Sequence, residues 1–454
     1  MSHEFDASAI AAATAGVVIH DAPAGAMVTD SRRMVPGAWF VALVGDRFDG
    51  HRFLDQAIAD GAAGVVVERD LPEDWAAGAV RVTDTLVALQ DLARAARRRC
   101  IGPVVGITGS SGKTTTRTLV ALALGPMGPV HQTGANLNNH IGVPLTILGG
   151  SVDAAATLVE MGTSAPGEIG LLADIGTPNV RLITNVGPAH LAELGGLGGV
   201  AIEKTALFRS ARPGDICCIN ADDPHLREAE LPDGVLAVRW GEASDADIRL
   251  VAVRILVEEF STEAEFSTPA GRVTARIPAP GHHIAVDAAA ALAVAYALGV
   301  DLSAAAAAMG GYEPVGMRLR REVLPSGVIA LNDAYNANPD SVAASVRLLA
   351  SLGGGRVAVL GDMLELGPDE ARWHSETVAL ADVLGLDLLV LVGPRMAAAV
   401  GSVEHTPVLA FPDPADAAPS LATRLAPGDH VLFKGSRGAR VERILQSLKS
   451  RELS

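Results

Sequence analysis

The sequence predicts an α/β protein built from three units, and three observations carry that reading. Its 454 residues, at about 150 residues per domain, correspond to roughly three domains. Short apolar runs alternate with Ala-rich helical stretches, which is the rhythm of βα units on a parallel sheet. Gly- and Pro-rich stops at 100–103 and 310–316 interrupt that rhythm where chains commonly cross between domains. The expected units are residues 1–101, 102–314 and 315–454.

In the first unit the pattern predicts a strand over 39–44, a polar loop over 45–52, a helix over 53–60, a strand over 64–68 and a basic helix over 86–99. The second opens with a strand over 104–107, a Gly/Ser loop and a helix from Lys113. Further strands are expected over 156–160, 181–186 and 215–220. The charged, β-branched stretch 248–277 reads as antiparallel hairpins, and the Ala-rich stretch 284–298 as a closing helix. The third unit repeats the rhythm with strands over 328–332, 356–360, 388–392, 408–411 and 430–433, a Rossmann-like open sheet.

Composition narrows the function classes. Hydrophobic residues make up 49% and charged residues 19%, enough apolar material for several cores and too much for a disordered chain. Lys and Arg total 36 against 52 Asp and Glu, a net charge of -16. That balance argues against a nucleic-acid binder, which needs a basic face, but leaves room for a local basic pocket. The apolar stretch 284–300 carries Asp287 and is mostly Ala, so it reads as a buried helix and not a membrane span. Residues 1–13, with His3, Glu4 and Asp6, lack the basic start and apolar run of a signal peptide. Cys100, Cys217 and Cys218 form no CxxC pair, which suits a reducing compartment. A cytoplasmic protein with no membrane or nucleic-acid partner is expected.

The sharpest local signal is the string GITGSSGKTTT at 106–116. It follows an apolar strand and precedes a helix, the setting of a phosphate-binding loop. Gly109 and Gly112 would let backbone N–H groups, with Ser110, Ser111 and Thr115, turn inward around a polyphosphate. Lys113 would reach the terminal phosphates, and the Thr114 hydroxyl would hold Mg²⁺. Five residues, not four, separate Gly106 from Gly112, so the fit is to a shorter variant that starts at Gly109. A plain Gly/Ser turn with an incidental lysine is the competing reading, and a GKTT string after a buried strand weighs against it.

A bound triphosphate needs a metal, so carboxylates at neighbouring strand ends matter. Glu160 closes the run 156–160 and is the best candidate ligand; His190 follows another strand and a Gly-Pro turn. Lys204 lies on an expected helix and, on residues alone, reads as a surface lysine. After the strand at 328–332, Asp333, Tyr335 and Asn336 crowd into a turn that suits a ribose and a purine. Lys434 and Arg437 put two cations beside a glycine, which suits a carboxylate or phosphate.

Taken together these residues resemble the Mur ligase family. The strings VTDSR (28–32), FVAL (40–43) and DGHRF (49–53) are similar to its N-terminal unit. The phosphate loop, NLNNHIGVP (136–144), EMG (160–162) and NADDP (220–224) are similar to its central one, and DAYNANP (333–339), LGDMLELG (360–367) and KGSR (434–437) to its C-terminal one. The NANP and GDMLELG strings are those of the member that adds D-alanyl-D-alanine; its sister, which adds the third amino acid, shows an Ala-His-x-Pro string there.

The resemblance implies a UDP-binding N-terminal domain, a central P-loop ATPase with a parallel sheet and a C-terminal Rossmann-like ligase domain. It implies an ATP-dependent amide ligase that phosphorylates the terminal carboxylate of UDP-N-acetylmuramoyl-tripeptide, after which the amine of D-Ala-D-Ala attacks the acyl phosphate. Lys113, His190 and Lys204 are the implied catalytic residues. ATP would be held by residues 109–115 with His283, Arg318, Asp333 and Asn336. Two Mg²⁺ ions would be held by Thr114, Glu160, His190 and a carbamylated Lys204, whose carbamate turns a cation into a carboxylate. Ser31, Arg32, Asn136, Asn138, Asn139, Lys434, Ser436 and Arg437 would face the other substrates, and a monomer is expected. His140, Ile284, Asp287 and Met317 depart from the family pattern, standing in place of a Glu, two Asn and a small residue. The competing functions are the sister ligase, a folylpolyglutamate synthetase-like ligase, and a P-loop transport or signalling NTPase; the DSR and DGH strings argue against the last two.

Overall fold

Among the described residues three large β-sheets order the chain, each flanked by helices, beside one two-stranded ribbon. The computed structural model describes residues 3–46 and 48–451, so Met1, Ser2, Arg47 within the expected loop 45–52, and 452–454 lie outside it. The first sheet runs, in space, Val17–His20, Gly78–Arg81, Gly64–Val67, Trp39–Val41, Met27–Val28; only Val17–His20 is antiparallel to its neighbour. The third runs Arg320–Val323, Ile329–Asp333, His430–Lys434, Arg356–Gly361, Leu388–Val392, Val408–Phe411, with only the first strand antiparallel.

The central sheet has nine strands. Seven, from the edge strand Val130–Gln132 to Ile248–Leu256, are parallel; Ser261–Thr268 and Gly271–Ile277 then extend the sheet as antiparallel strands. The strand Val104–Thr108 is flanked by Ala156–Glu160 on one side and Val180–Ile183 on the other. The chain order diverges there, and the carboxyl ends around such a switch point open a crevice. Register aligns Glu160 with Ile107 and Ile183 with Thr108, so three strands deliver their following loops to one crest.

Most of the expected elements form, with shifted limits. Strand 39–44 stops at Val41, because Val44–Gly45 turns to pair with Phe48–Asp49. The closing helix begins at His282, two residues early, at Gly281 with φ 133°. Short or exposed strands such as Val17–His20, Met27–Val28, Val130–Gln132, Leu236–Gly241 and Arg320–Val323 carry too little apolar alternation to be read from sequence.

The sheets are not independent bodies. The basic helix Thr85–Arg99, N-capped by Asp84, buries Leu89, Leu92 and Ala96 in one cluster with Ile147, Leu172 and Phe208. Arg97 donates to the Gly176 and Thr177 carbonyls and to Asn179, and Arg94 pairs with Asp174 at 2.7 Å. The basic face is thus spent on joining the first two sheets. Leu191 and Leu194 likewise pack into the core of the third. Among the described residues no helix is long and apolar enough to cross a membrane; His282–Ala297 lies buried against the central sheet.

Candidate active site

The phosphate loop forms as expected between Val104–Thr108 and the helix Lys113–Leu124. Gly109 and Gly112 sit at φ 152° and 75°, conformations that side chains rarely adopt. A Cβ on Gly109 would collide with Thr184, and one on Gly112 would meet Asp287 Oδ1 at 2.9 Å. The segment after Val180–Ile183 braces the loop. Thr184 Oγ1 donates to the Ser111 carbonyl at 2.6 Å, the Ser111 N–H donates to Asn185 Oδ1 at 3.0 Å, and Ser110 Oγ and the Gly187 backbone exchange two bonds of 2.9 Å. Lys113 Nζ donates to the Gly109 carbonyl at 2.7 Å.

This loop forms one wall of a cavity of about 830 Å³ that also takes in Asn138, Asn139, His140, Glu160, Glu168, His190, His283, Asp287, Arg318, Asp333, Tyr335, Asn336 and Lys434. Glu160 is 2% exposed and sets a buried carboxylate in the cavity wall. Its Oε2 accepts from Thr114 Oγ1 at 2.9 Å and meets Arg117 Nη1 at 3.3 Å, while Oε1 accepts from Asn138 Nδ2 at 3.0 Å. A hydroxyl and a carboxylate oxygen converging there form a hard-oxygen donor set that fits Mg²⁺. Lys113 and Arg117 both lie in the field of Arg318, and burial together with Arg318 lowers the pKa of both. In a chain of net charge -16 this is the local basic pocket that composition left room for, and Glu160 alone does not neutralise it.

Lys204 is the largest surprise for a reading from residues alone. It is 1% exposed, not a surface lysine, because Leu197–Arg209 turns that face inward. Burial, and then the Lys113 cation, hold its amine well below the ordinary lysine range despite the fields of Glu203 and Glu168. It stands behind the cavity wall and does not line it.

Other expected site residues divide. His283 lines the cavity, and burial lowers its pKa to about 4, so it is neutral near pH 7. Arg318 places its guanidinium carbon 3.7 Å from the Tyr335 ring centroid, a stacked pair on the cavity wall. Lys434 reaches the cavity, but its Nζ is bound to Asp333 Oδ2 at 2.7 Å and to the Asn336 carbonyl at 3.2 Å. Asp333 also accepts from Leu319 N and Ser345 Oγ, so this buried pair shapes the 333–339 turn. Ser436 accepts from Leu364 N and donates to the Ala337 carbonyl, tying two motifs together. Arg437 pairs with Glu442 on the surface. Asn139 lines the cavity but caps the following turn through Ile141 N and Gly142 N. Asn136 and Arg32 are exposed and Ser31 is half-buried, all three outside the cavity lining, and Arg32 pairs with Asp30 at 2.8 Å.

Two further residues carry weight that the motif reading did not assign. Arg117 lies one helical turn beyond Lys113 and Thr114, so helix spacing alone puts it on the Glu160 side. Asp287 accepts from Thr116 Oγ1 at 2.9 Å under the loop, and burial raises its carboxyl to about 7. The fold therefore favours the protonated acid, and the contribution to stability is largest at low pH and declines as pH rises from 3.8 to 7. A shift of this size corresponds to a loss on the order of 4 kcal/mol. Asp287→Asn, neutral at every pH and able to accept from Thr116, should melt several degrees above the parent protein at pH 8, the gap closing toward pH 4. Thermal unfolding over that range checks this; parallel profiles would mean that Asp287 titrates normally.

Three family models match: Mur ligase family, catalytic domain, over 25–97; Mur ligase middle domain over 107–295; and Mur ligase, glutamate ligase domain, over 317–437. The chain is 35% identical over 435 residues to the UDP-N-acetylmuramoyl-tripeptide–D-alanyl-D-alanine ligase of Bacillus subtilis (strain 168), covering 94% of each chain. It superposes on a crystal structure of MurF from Acinetobacter baumannii with a TM-score of 0.90 at 31% identity, covering 98% of this chain and 99% of that one. MurF ligase from Thermotoga maritima in complex with ADP gives a TM-score of 0.82 at 31% identity, over 95% and 99%. With its phosphate loop, buried Glu160 and C-terminal turn facing one cavity, the chain belongs to the Mur ligase family, among the MurF-type members.

Proposed function

We propose that this chain is the ATP-dependent ligase that joins D-alanyl-D-alanine to UDP-N-acetylmuramoyl-tripeptide in the assembly of peptidoglycan precursors. Units 1–101, 102–314 and 315–454 would serve the UDP moiety, ATP and the incoming dipeptide in that order. The supporting observation is the cavity itself, where the phosphate loop of one sheet meets the 333–339 turn of another. A cytoplasmic site of action follows from the soluble precursors it would use.

A carboxylate resists amines because its charge repels them and oxide leaves poorly; phosphorylation removes both obstacles. The chain's own part is to bind, to orient and to neutralise. Residues 109–115 cradle the polyphosphate, Lys113 faces its terminal groups, and the Arg318–Tyr335 stack with His283 walls the nucleoside end. Thr114 and Glu160 would hold one Mg²⁺, and His190 with a carbamylated Lys204 a second. Magnesium supplies charge neutralisation on the phosphates. Lys204 suits carbamylation because burial, and then the Lys113 cation, lower the pKa of its amine. The Nζ lone pair bonds to the carbon of CO₂ and one N–H proton leaves to solvent, giving a buried anion where a cation stood.

Phosphate release tests the reading. ATP with UDP-N-acetylmuramoyl-tripeptide and D-Ala-D-Ala should give turnover that neither co-substrate supports alone. Equal turnover of ATP by itself would mark a motor or signalling NTPase; turnover with the dipeptide-stage precursor and a single amino acid would mark the sister ligase.

A further inference from the structure

One helix supplies a charged stripe to the cavity wall. Pro339–Ala350 leaves the 333–339 turn with Asn338 as its cap. Asp340, Ala344 and Arg347 all line the cavity, in the i, i+4, i+7 spacing of one helix face. The hydroxyls beside them are already used: Ser341 completes the cap and Ser345 donates to Asp333. The two charges are not. Asp340 and Arg347 are exposed, and among the described residues neither side chain makes a hydrogen bond or an ion pair. Asp340 still lies in the field of Arg347: desolvation and then Asp223 raise its pKa, and Arg347 lowers it. Asp223 itself is spent on the backbone N–H groups of Val186, His225 and Leu226.

The two ends of the stripe differ in what they face. The Asp340 carboxylate lies so close to Gly187 that a Cβ there would collide with Oδ2, and that same point is 3.7 Å from Ser110 Cβ in the phosphate loop. A bare carboxylate beside a polyphosphate site is repelled by the ligand unless a cation stands between them. Arg347 lies two turns farther along the helix, a rise of about 10.5 Å. An extended dipeptide holds its ammonium and carboxylate about 6 Å apart, and one charge-assisted bond of about 2.8 Å at each end brings the span close to that rise. A single amino acid is shorter by about 3.5 Å. From this juxtaposition we infer that the stripe binds a zwitterionic dipeptide, with Asp340 taking the ammonium, Arg347 the carboxylate, and Ala344 meeting the side chains between them. The polarity suits the chemistry. The reactive amine is delivered at the phosphate end, and the unreactive carboxylate is held away from it. That the occupant is D-Ala-D-Ala rests on the function proposed above; the direction in which a zwitterion lies does not.

The test uses the full chain with Arg347→Ala and Asp340→Asn, and compares D-Ala-D-Ala with its C-terminal amide, which keeps the amine and lacks the carboxylate. In the parent protein kcat/KM for the dipeptide should exceed that for the amide by about 10–100-fold, the worth of one charge-assisted hydrogen bond. Arg347→Ala should lose that preference, falling on the acid to the value of the amide and leaving the amide unchanged. Asp340→Asn should fall by a similar factor on both, since both carry the ammonium. KM for ATP and for the UDP-linked precursor should stay close to the parent's in both variants, which separates binding from a general loss of folding. An Arg347→Ala variant that loses equally on acid and amide overturns the inference. So does one whose KM rises for the precursor instead, which would assign Arg347 to a carboxylate of the acceptor peptide. If the parent protein ligates no dipeptide, the proposed function fails by itself, and calorimetry of D-Ala-D-Ala and its amide on the ADP complex decides the site. A preference for the acid that Arg347→Ala abolishes supports it; equal affinities in parent and variant overturn it.

Discussion

Lys113→Ala is expected to lower the ligation rate by about a hundredfold or more while leaving binding of the UDP-linked precursor nearly intact. The size follows from where the lysine stands. Its ammonium is the loop's own cation at the terminal-phosphate position, in a cavity whose walls raise the strength of every charge. Arg318 lies in its field, and neither it nor Arg117 can replace the lysine: Arg117 is bound to Glu160 and Arg318 is stacked on Tyr335. The N-terminal residues expected to meet the precursor, Ser31 and Arg32, are outside the cavity lining. Loss of rate with retained precursor affinity, measured by calorimetry beside the ligation assay, supports the assignment. Full activity would remove the ATPase role of the loop.

Lys204 gives the second large effect. A free ammonium at this depth would add a cation beside Lys113, and the protein disfavours it, as the lowered pKa records. The neutral amine is the form that reacts with CO₂, and the lowered pKa favours that form. Lys204→Ala should lose on the order of a hundredfold in rate and recover part of it in acetate, whose carboxylate can occupy the vacated volume. Lys204→Arg should stay inactive, because a guanidinium keeps the opposite charge and cannot be carbamylated. Intact-mass analysis under CO₂ trapping conditions and the ligation assay check both halves. An arginine variant as active as the parent would reduce Lys204 to a packing residue.

What was legible in the sequence was what local chemistry dictates. The glycines at 109 and 112, the lysine between strand and helix, and Glu160 at a strand end are fixed by short-range geometry, and each stands where its spacing predicts. Lys204 was different. Its burial depends on how one helix docks between two others, and a single lysine on a helix carries no trace of that in its neighbours. The partner of Lys434 was hidden for the same reason. Two cations beside a glycine look free for a substrate, yet Asp333, a hundred and one residues away in sequence, claims the first. Asp340 lay just past a quoted motif without a role, since only the docking of its helix against Gly187 brings it to the phosphate loop. Asp287, read as a departure from pattern, is in place a buried acid under the phosphate loop, where a neutral amide and a protonated carboxyl accept the same bond.

Transfer of oxygen isotope tests the central claim most directly. UDP-N-acetylmuramoyl-tripeptide carrying ¹⁸O in its terminal carboxylate is incubated with the protein, ATP, Mg²⁺ and D-Ala-D-Ala, and the released phosphate is analysed by mass spectrometry. If the carboxylate is phosphorylated and then displaced by the amine, each phosphate carries one oxygen from that carboxylate, in step with each amide formed. Phosphate labelled only from water, or released without D-Ala-D-Ala at the same rate, would contradict the account.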